Sequence, residues 1–143
     1  MATQSSPSRP RSARRRKQFS LAEANRSLPL VSRIVQDIVQ RHRTAVESHV
    51  RMETATTAGQ IKECRAKLEV ALERMQDYVD ELTALGLELK DPETGLVVFF
   101  GRHQGREICL CWRLGEEKVG HWHELQAGYS GRQPVSLLEE GGV

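Results

Sequence analysis

No apolar run in this chain approaches the roughly 20 residues that a membrane-spanning helix requires. The N-terminal stretch also lacks the apolar segment of a secretory signal, which points to a cytoplasmic protein. Cysteine is scarce and odd in number: Cys64, Cys109 and Cys111. Three free thiols in a reducing compartment are therefore expected rather than a disulfide framework. There is no glycine-rich phosphate loop, no nucleophile elbow and no HExxH pair, so the common signatures of nucleotide, acyl-transfer and metalloprotease chemistry are missing. No catalytic residue and no cofactor are assigned.

What is present is a chain of 143 residues, 38% apolar and 28% charged, as expected of one soluble domain with a modest core. The net charge of +2 conceals a division. Residues 1–18 hold Arg9, Arg11, Arg14, Arg15, Arg16 and Lys17 and no acid; removing these 6 from 21 basic residues leaves 15 against 19 acidic ones. This stretch is rich in Ser, Pro and Arg and too poor in apolar side chains to order itself. It is read as a disordered basic tail offering salt-sensitive, sequence-blind contact with a nucleic acid, or as a solubilising segment. The folded domain is placed at 19–138: a helical hairpin over 19–86, a β-meander over 87–125 and a C-terminal loop segment over 126–138.

The domain begins at "FSLAEANRSLPL". Ser20 and Glu23 form a capping box in which the hydroxyl takes one orphan amide and the carboxylate another. Pro29 lacks an amide hydrogen and clashes with the preceding turn. The expectation is therefore a short helix from Leu21 to about Ser27 and a second starting near Leu28. Leu28, Val31, Val35, Ile38, His42, Ala45, His49 and Met52 then alternate steps of three and four, a heptad seam. After "TATTAG" the same steps recur through Ile61, Cys64, Leu68, Ala71, Met75, Tyr78, Leu82 and Leu85 to Gly86, a helix C-cap. Folding one seam on the other pairs Met52 with Ile61, His49 with Cys64 and Leu28 with Leu85. The result is an antiparallel hairpin with arms about 35–40 Å long.

Beyond Gly86 the period changes to two. "LELK", "LVVFF", "REICLCWR" and "KVGHWHE" read as a four-stranded antiparallel meander, with "DPETG", "GRHQG" and "LGEE" between them. The fold class is thus α+β. The last hairpin matters most, because Cys109 and Cys111 precede it and His121 and His123 follow. A two-residue type II′ turn at Gly115-Glu116 is the expected connection. It sets Trp112 opposite Val119, Leu110 opposite His121 and Cys109 opposite Trp122, with cysteines and histidines on different faces. The alternative, a three-residue loop, brings Cys109, Cys111, His121 and His123 together as a two-Cys, two-His metal site. Under the expected register Leu96, Val98, Phe100, Ile108, Leu110, Trp112 and Val119 face the helices, with His121 and His123 at the end of that face. Val97, Phe99, Cys109, Cys111 and Trp122 form a second apolar face that a partner subunit, the N-terminal helix or the C-terminal segment should cover.

These motifs resemble a prokaryotic family known as domain of unknown function 2203, over about Phe19 to Leu137. The resemblance rests on Phe19, Ser20, Glu23, Ala24, Asn25, Leu28 and Pro29, and on Lys90, Asp91, Pro92, Gly95, Leu96 and Val97. Further on it rests on Gly105, Arg106, Leu110, Cys111, Trp112, Leu114, Gly115 and Glu116, on Trp122, His123 and Glu124, and on Gly128, Tyr129, Gly131, Arg132 and Pro134. Val98 stands where the family usually has an acid, and Cys109 and His121 lie outside its pattern. The family implies no established activity.

The polar and aromatic residues of these motifs, Asp91, Arg106, Trp112, Trp122, His123, Glu124 and Arg132, form a candidate ligand-binding set near the last strand and the C-terminal loop. His123 and Glu124 are strand neighbours and point to opposite faces, so they cannot act as a direct dyad. Three functions are carried forward. The first is a non-catalytic interaction protein, self-associating or binding another protein through the hairpin or the second sheet face. The second is a small-ligand- or metal-binding domain, with an enzyme as one form of it, centred on the last strand and the C-terminal loop, and the third a nucleic-acid-associated protein acting through the tail.

Overall fold

The computed structural model describes residues 17–128 and 131–140. Arg9, Arg11, Arg14, Arg15, Arg16 and Tyr129 lie outside the described residues. The elements follow in the order α1 (Leu21–Thr54), α2 (Ala58–Leu85), β1 (Leu87–Asp91), β2 (Leu96–His103), β3 (Arg106–Arg113), β4 (His121–Glu124), β5 (Gln133–Pro134) and α3 (Ser136–Glu140). The five strands make one antiparallel sheet in sequence order.

Both long helices start on a capping box. Ser20 Oγ accepts from the Glu23 amide at 3.0 Å while Glu23 accepts from the Ser20 amide at 3.0 Å. At α2, Thr57 and Gln60 repeat the exchange at 3.1 and 3.2 Å. α2 ends at Gly86, whose φ of 102° puts it in the left-handed region where glycine carries no Cβ penalty.

The expected break before Pro29 does not occur: α1 runs unbroken from Leu21 to Thr54 with Pro29 inside it. An interior proline costs about 3 kcal/mol in an isolated helix. Here Ala24, Leu28, Val31 and Val35 bury one continuous stripe on both sides of it, and the ring itself points to solvent. Burial of four apolar side chains outweighs the local preference.

The hairpin's seam is close to the expected one, with a substitution at its far end. Ser48 rather than His49 is buried there, and a hollow between the arms is lined by Ser48 and Arg51 from α1 and Cys64 and Lys67 from α2. His49 lies outside, 57% exposed in its side chain, with Nε2 3.3 Å from Glu53.

One face of the sheet packs on the helices. Its residues are Val97, Phe99, Ile108, Leu110, Trp112 and Trp122, joined to Leu28, Val31, Val35, Ile38 and Leu82 in one core. The other face carries Val98, Phe100, Cys109 and Cys111, a second small cluster. The expected assignment of β2 is therefore inverted. A five-residue loop at 101–105 would have set Phe100 opposite Arg106; instead β2 continues to His103, and Phe100 stands opposite Cys109. The turn has only Gln104 (φ 54°) and Gly105 (φ 79°) at its centre, both left-handed, as a type I′ hairpin demands. A shift of three residues is odd, so each β2 side chain changes face relative to β3. Gly101 makes the longer strand possible: a Cβ there would lie 2.7 Å from the Phe19 carbonyl oxygen. The Phe19 amide donates to the Phe100 carbonyl at 2.7 Å.

Candidate functional site

The last hairpin departs from the expected register in the same way. Cys111 pairs with His121, Leu110 with Trp122, Cys109 with His123 and Ile108 with Glu124. The two-residue turn at Gly115-Glu116 is replaced by a longer connection over 114–120. The Glu116 amide donates to the Arg113 carbonyl at 3.0 Å, closing a turn in which Gly115 (φ 103°) takes the third place. Trp112 Nε1 donates to the Glu116 carbonyl at 2.9 Å, and the Glu116 carboxylate accepts from the Arg113 amide at 3.0 Å. Val119 does not pair with Trp112. It drops into the helix-side core, and its amide donates to Asn25 Oδ1 on α1 at 2.8 Å. A helix side chain thus satisfies a buried loop amide and sets the length of the loop.

Cys109, Cys111, His121 and His123 consequently share the sheet face turned away from the helices. Sharing a face is not convergence. A closed zinc site needs four ligands about 2.0–2.3 Å from one point, and pleated neighbours stand parallel rather than aimed at a centre. Among the described residues no group of three or more His, Cys, Asp or Glu is placed to hold a metal ion. His123 is buried, and its Nδ1 lies 2.8 Å from the Glu124 carbonyl, so Nδ1 carries the proton it donates. Burial pushes the Cys111 thiol up to about 12, the nearby Cys109 adding to it and Arg132 opposing. Such a thiol stays protonated and unreactive at neutral pH. The four apolar residues of this face, Val98, Phe100, Cys109 and Cys111, are buried within the chain.

The candidate ligand set is divided by the sheet. Trp112 and Trp122 belong to the helix-side core, with Trp122 Nε1 donating to the Pro134 carbonyl at 3.2 Å. Arg106 and Glu124 meet at the rim, where Nη1 donates to both carboxylate oxygens at 3.0 Å, an exposed pair. His123 points to the opposite face, toward Cys109. Asp91 closes the β1–β2 turn: its carboxylate accepts from the Thr94 hydroxyl at 2.8 Å and the Glu93 amide at 3.0 Å. Those two hydrogen bonds, the hydroxyl first, hold its carboxyl below the usual carboxylate range. Lys17, the last basic residue of the tail, sits with Nζ 5.0 Å over the Phe19 ring.

Residues that the sequence reading did not single out for a site are His103 and Ser48. His103 packs edge-on against Trp122 at 5.4 Å, and among the described residues its buried Nδ1 has no hydrogen-bond partner. Ser48 is buried in the hairpin. Neither carries a motif, and only the fold reveals its surroundings.

Fold and site together define an α+β protein in which a helical hairpin lies on one face of an antiparallel sheet whose other face holds a cysteine–histidine patch. Among the described residues no helix is long and apolar enough to cross a membrane. The chain belongs to the family described as Uncharacterized conserved protein (DUF2203), which matches residues 17–135. Comparison with curated proteins and with solved structures finds no match.

Proposed function

We propose that this protein is a non-catalytic interaction module of the cytoplasm that self-associates through the outer half of its hairpin. The observation that carries this reading is the fate of one stripe on α1. At its inner end the stripe is covered: the β1–β2 turn sits so close that a Cβ on Gly95 would lie 2.9 Å from Val35 and 3.2 Å from Val39. Seven residues on, the same side of the helix presents Val46 and Val50, 48% and 51% exposed. Val70 and Leu72 of α2 are exposed as well. The sheet stops and the apolar stripe continues, which is how a helix is left when part of its partner surface belongs to another molecule. The second sheet face, whose apolar residues are buried within the chain, is not used in this reading.

Light scattering on the full chain across the micromolar range tests it. The expected result is a dimer or larger species, and a monomer for V46E/V50E with unchanged helix content. A wild-type chain that stays monomeric overturns the proposal.

A further inference from the structure

The stripe on α1 that the sheet leaves open has a spacing of its own. Val39, Arg43, Val46, Val50 and Glu53 follow one another in steps of four, three, four and three, a second heptad seam beside the one that holds the hairpin together. Its inner end is covered: Val39 is buried, and a Cβ on Gly95 of the β1–β2 turn would lie 3.2 Å from it. Outward from there Arg43, Val46, Val50 and Glu53 are all exposed. Among the described residues Arg43 makes no ion pair, and Glu53 meets only His49 of its own helix, at 3.3 Å. The open stretch is thus apolar at its two middle positions and charged at its ends, with a base at the inner end and an acid at the outer one.

We infer that the surface covering this stripe is the same stripe of a second copy, laid antiparallel across a two-fold axis at the level of Ser48. The inference rests on the self-association proposed above and names its geometry. In a two-fold interface residue i meets j and j meets i. Steps of three, four and three read the same from either end, so antiparallel stripes align position by position. Val46 of each copy then meets the partner's Val50, and Arg43 of each meets the partner's Glu53. Four valines leave water around the axis, and a pair of opposite charges closes each end. The parallel alternative would set Arg43 on Arg43 and Glu53 on Glu53, and like charges facing each other across an interface are strongly disfavoured. The lengths agree as well. In this register Thr54, the last residue of α1, lies opposite the partner's His42, three residues short of Val39. Each helix therefore ends where the partner's β1–β2 turn begins to cover α1. The shared stretch, 42–54, is about 18 Å long at 1.5 Å per residue.

Analytical ultracentrifugation of the full chain, with helix content followed by circular dichroism, is the test. By symmetry R43E alone and E53R alone each place two like-charge contacts in the interface, and each should raise the dissociation constant about 10-fold or more. Mixing the two variants in equal amounts restores opposite charges at both contacts, as does R43E/E53R within one chain. Both should recover the wild-type dissociation constant, and rescue in the mixture cannot come from a repaired fold of either chain. Single variants that associate as tightly as wild type overturn the inference. So do a mixture and a double variant that stay as weak as the single ones. In either case a wild-type dimer that V46E/V50E dissolves leaves the self-association itself standing, whereas a wild-type chain that stays monomeric ends both readings.

Discussion

Cys111 and His121 stand directly opposite one another on β3 and β4, on the face of the sheet turned from the helices. The pairing follows from where Val119 goes. Its amide is taken by Asn25 and its side chain by the core, so the chain re-enters the sheet only at His121.

The environment of Cys111 has a measurable result. With its thiol pushed up to about 12, only about one molecule in ten thousand holds the thiolate at pH 8. Cys109 is equally buried, whereas Cys64 is half-exposed. A thiol reagent at pH 8 should therefore modify one cysteine quickly in the native chain and three after unfolding. The same shift bears on stability. A cysteine whose pKa is higher when folded holds its proton longer in the native state, so stability is intact below the unfolded value near 9 and falls as pH rises toward 12. Urea melts between pH 8 and 10.5 should show that decline, and C111V should flatten it.

Gly95 lies where the β1–β2 turn meets α1. It has a φ of +78°, and a Cβ there would lie 2.8 Å from the Leu114 Cβ as well as 2.9 Å from Val35. Both the backbone conformation and the space forbid a side chain. G95A is expected to cost about 2–4 kcal/mol, as strain and overpacking add. Denaturant unfolding measures it, and a loss below about 0.5 kcal/mol would mean the turn can lift off the helix freely.

Pro29 offers the opposite sign. It is exposed and interior to α1. P29A restores the missing helical hydrogen bond and removes the clash, worth up to about 3 kcal/mol. The greater freedom of the unfolded chain offsets about 1 kcal/mol of this. A net gain in the denaturation midpoint is expected, with an unchanged m-value.

Asp91 should mark the acid limb of stability. Its carboxyl is held below the ordinary value by the Thr94 hydroxyl and the Glu93 amide. A carboxyl depressed in the folded state stabilises above its unfolded pKa and loses that contribution as pH falls through the folded one. D91A should therefore be less stable than the parent at pH 7 and converge with it as the pH falls below the lowered folded value, as followed by thermal melts.

The helical hairpin was legible because heptad steps, two capping boxes and a C-cap glycine all agree locally. It was misread only where tertiary burial overrode a local rule, at Pro29, or where the buried position is Ser48 rather than His49. The strands were legible as strands, but their faces were not. Parity depended on Gln104 accepting a left-handed φ and on Asn25 capturing Val119, an interaction spanning 94 residues. β5, two residues long, carries no periodic signal; it is held by its pairing with β4 and by Trp122 Nε1 on the Pro134 carbonyl. Of the candidate site, the opposed directions of His123 and Glu124 could be read from strand geometry alone. The rim pair of Arg106 and Glu124 could not, since it requires knowing which strand lies beside which.

The two margins of the sheet have a consequence for how copies of the chain can grow together. β1 is bulged between Leu89 and Asp91 and carries Glu88 and Lys90. Phe19 occupies the Phe100 carbonyl beyond it. At the far side β5 has only two residues, one of them Pro134, which has no amide proton to give. Neither margin offers a row of free donors and acceptors for a further strand. Crowded or gently heated samples should accordingly form discrete particles rather than ordered fibres, and a fibre-binding dye should stay dark while the scattered light reports any assembly.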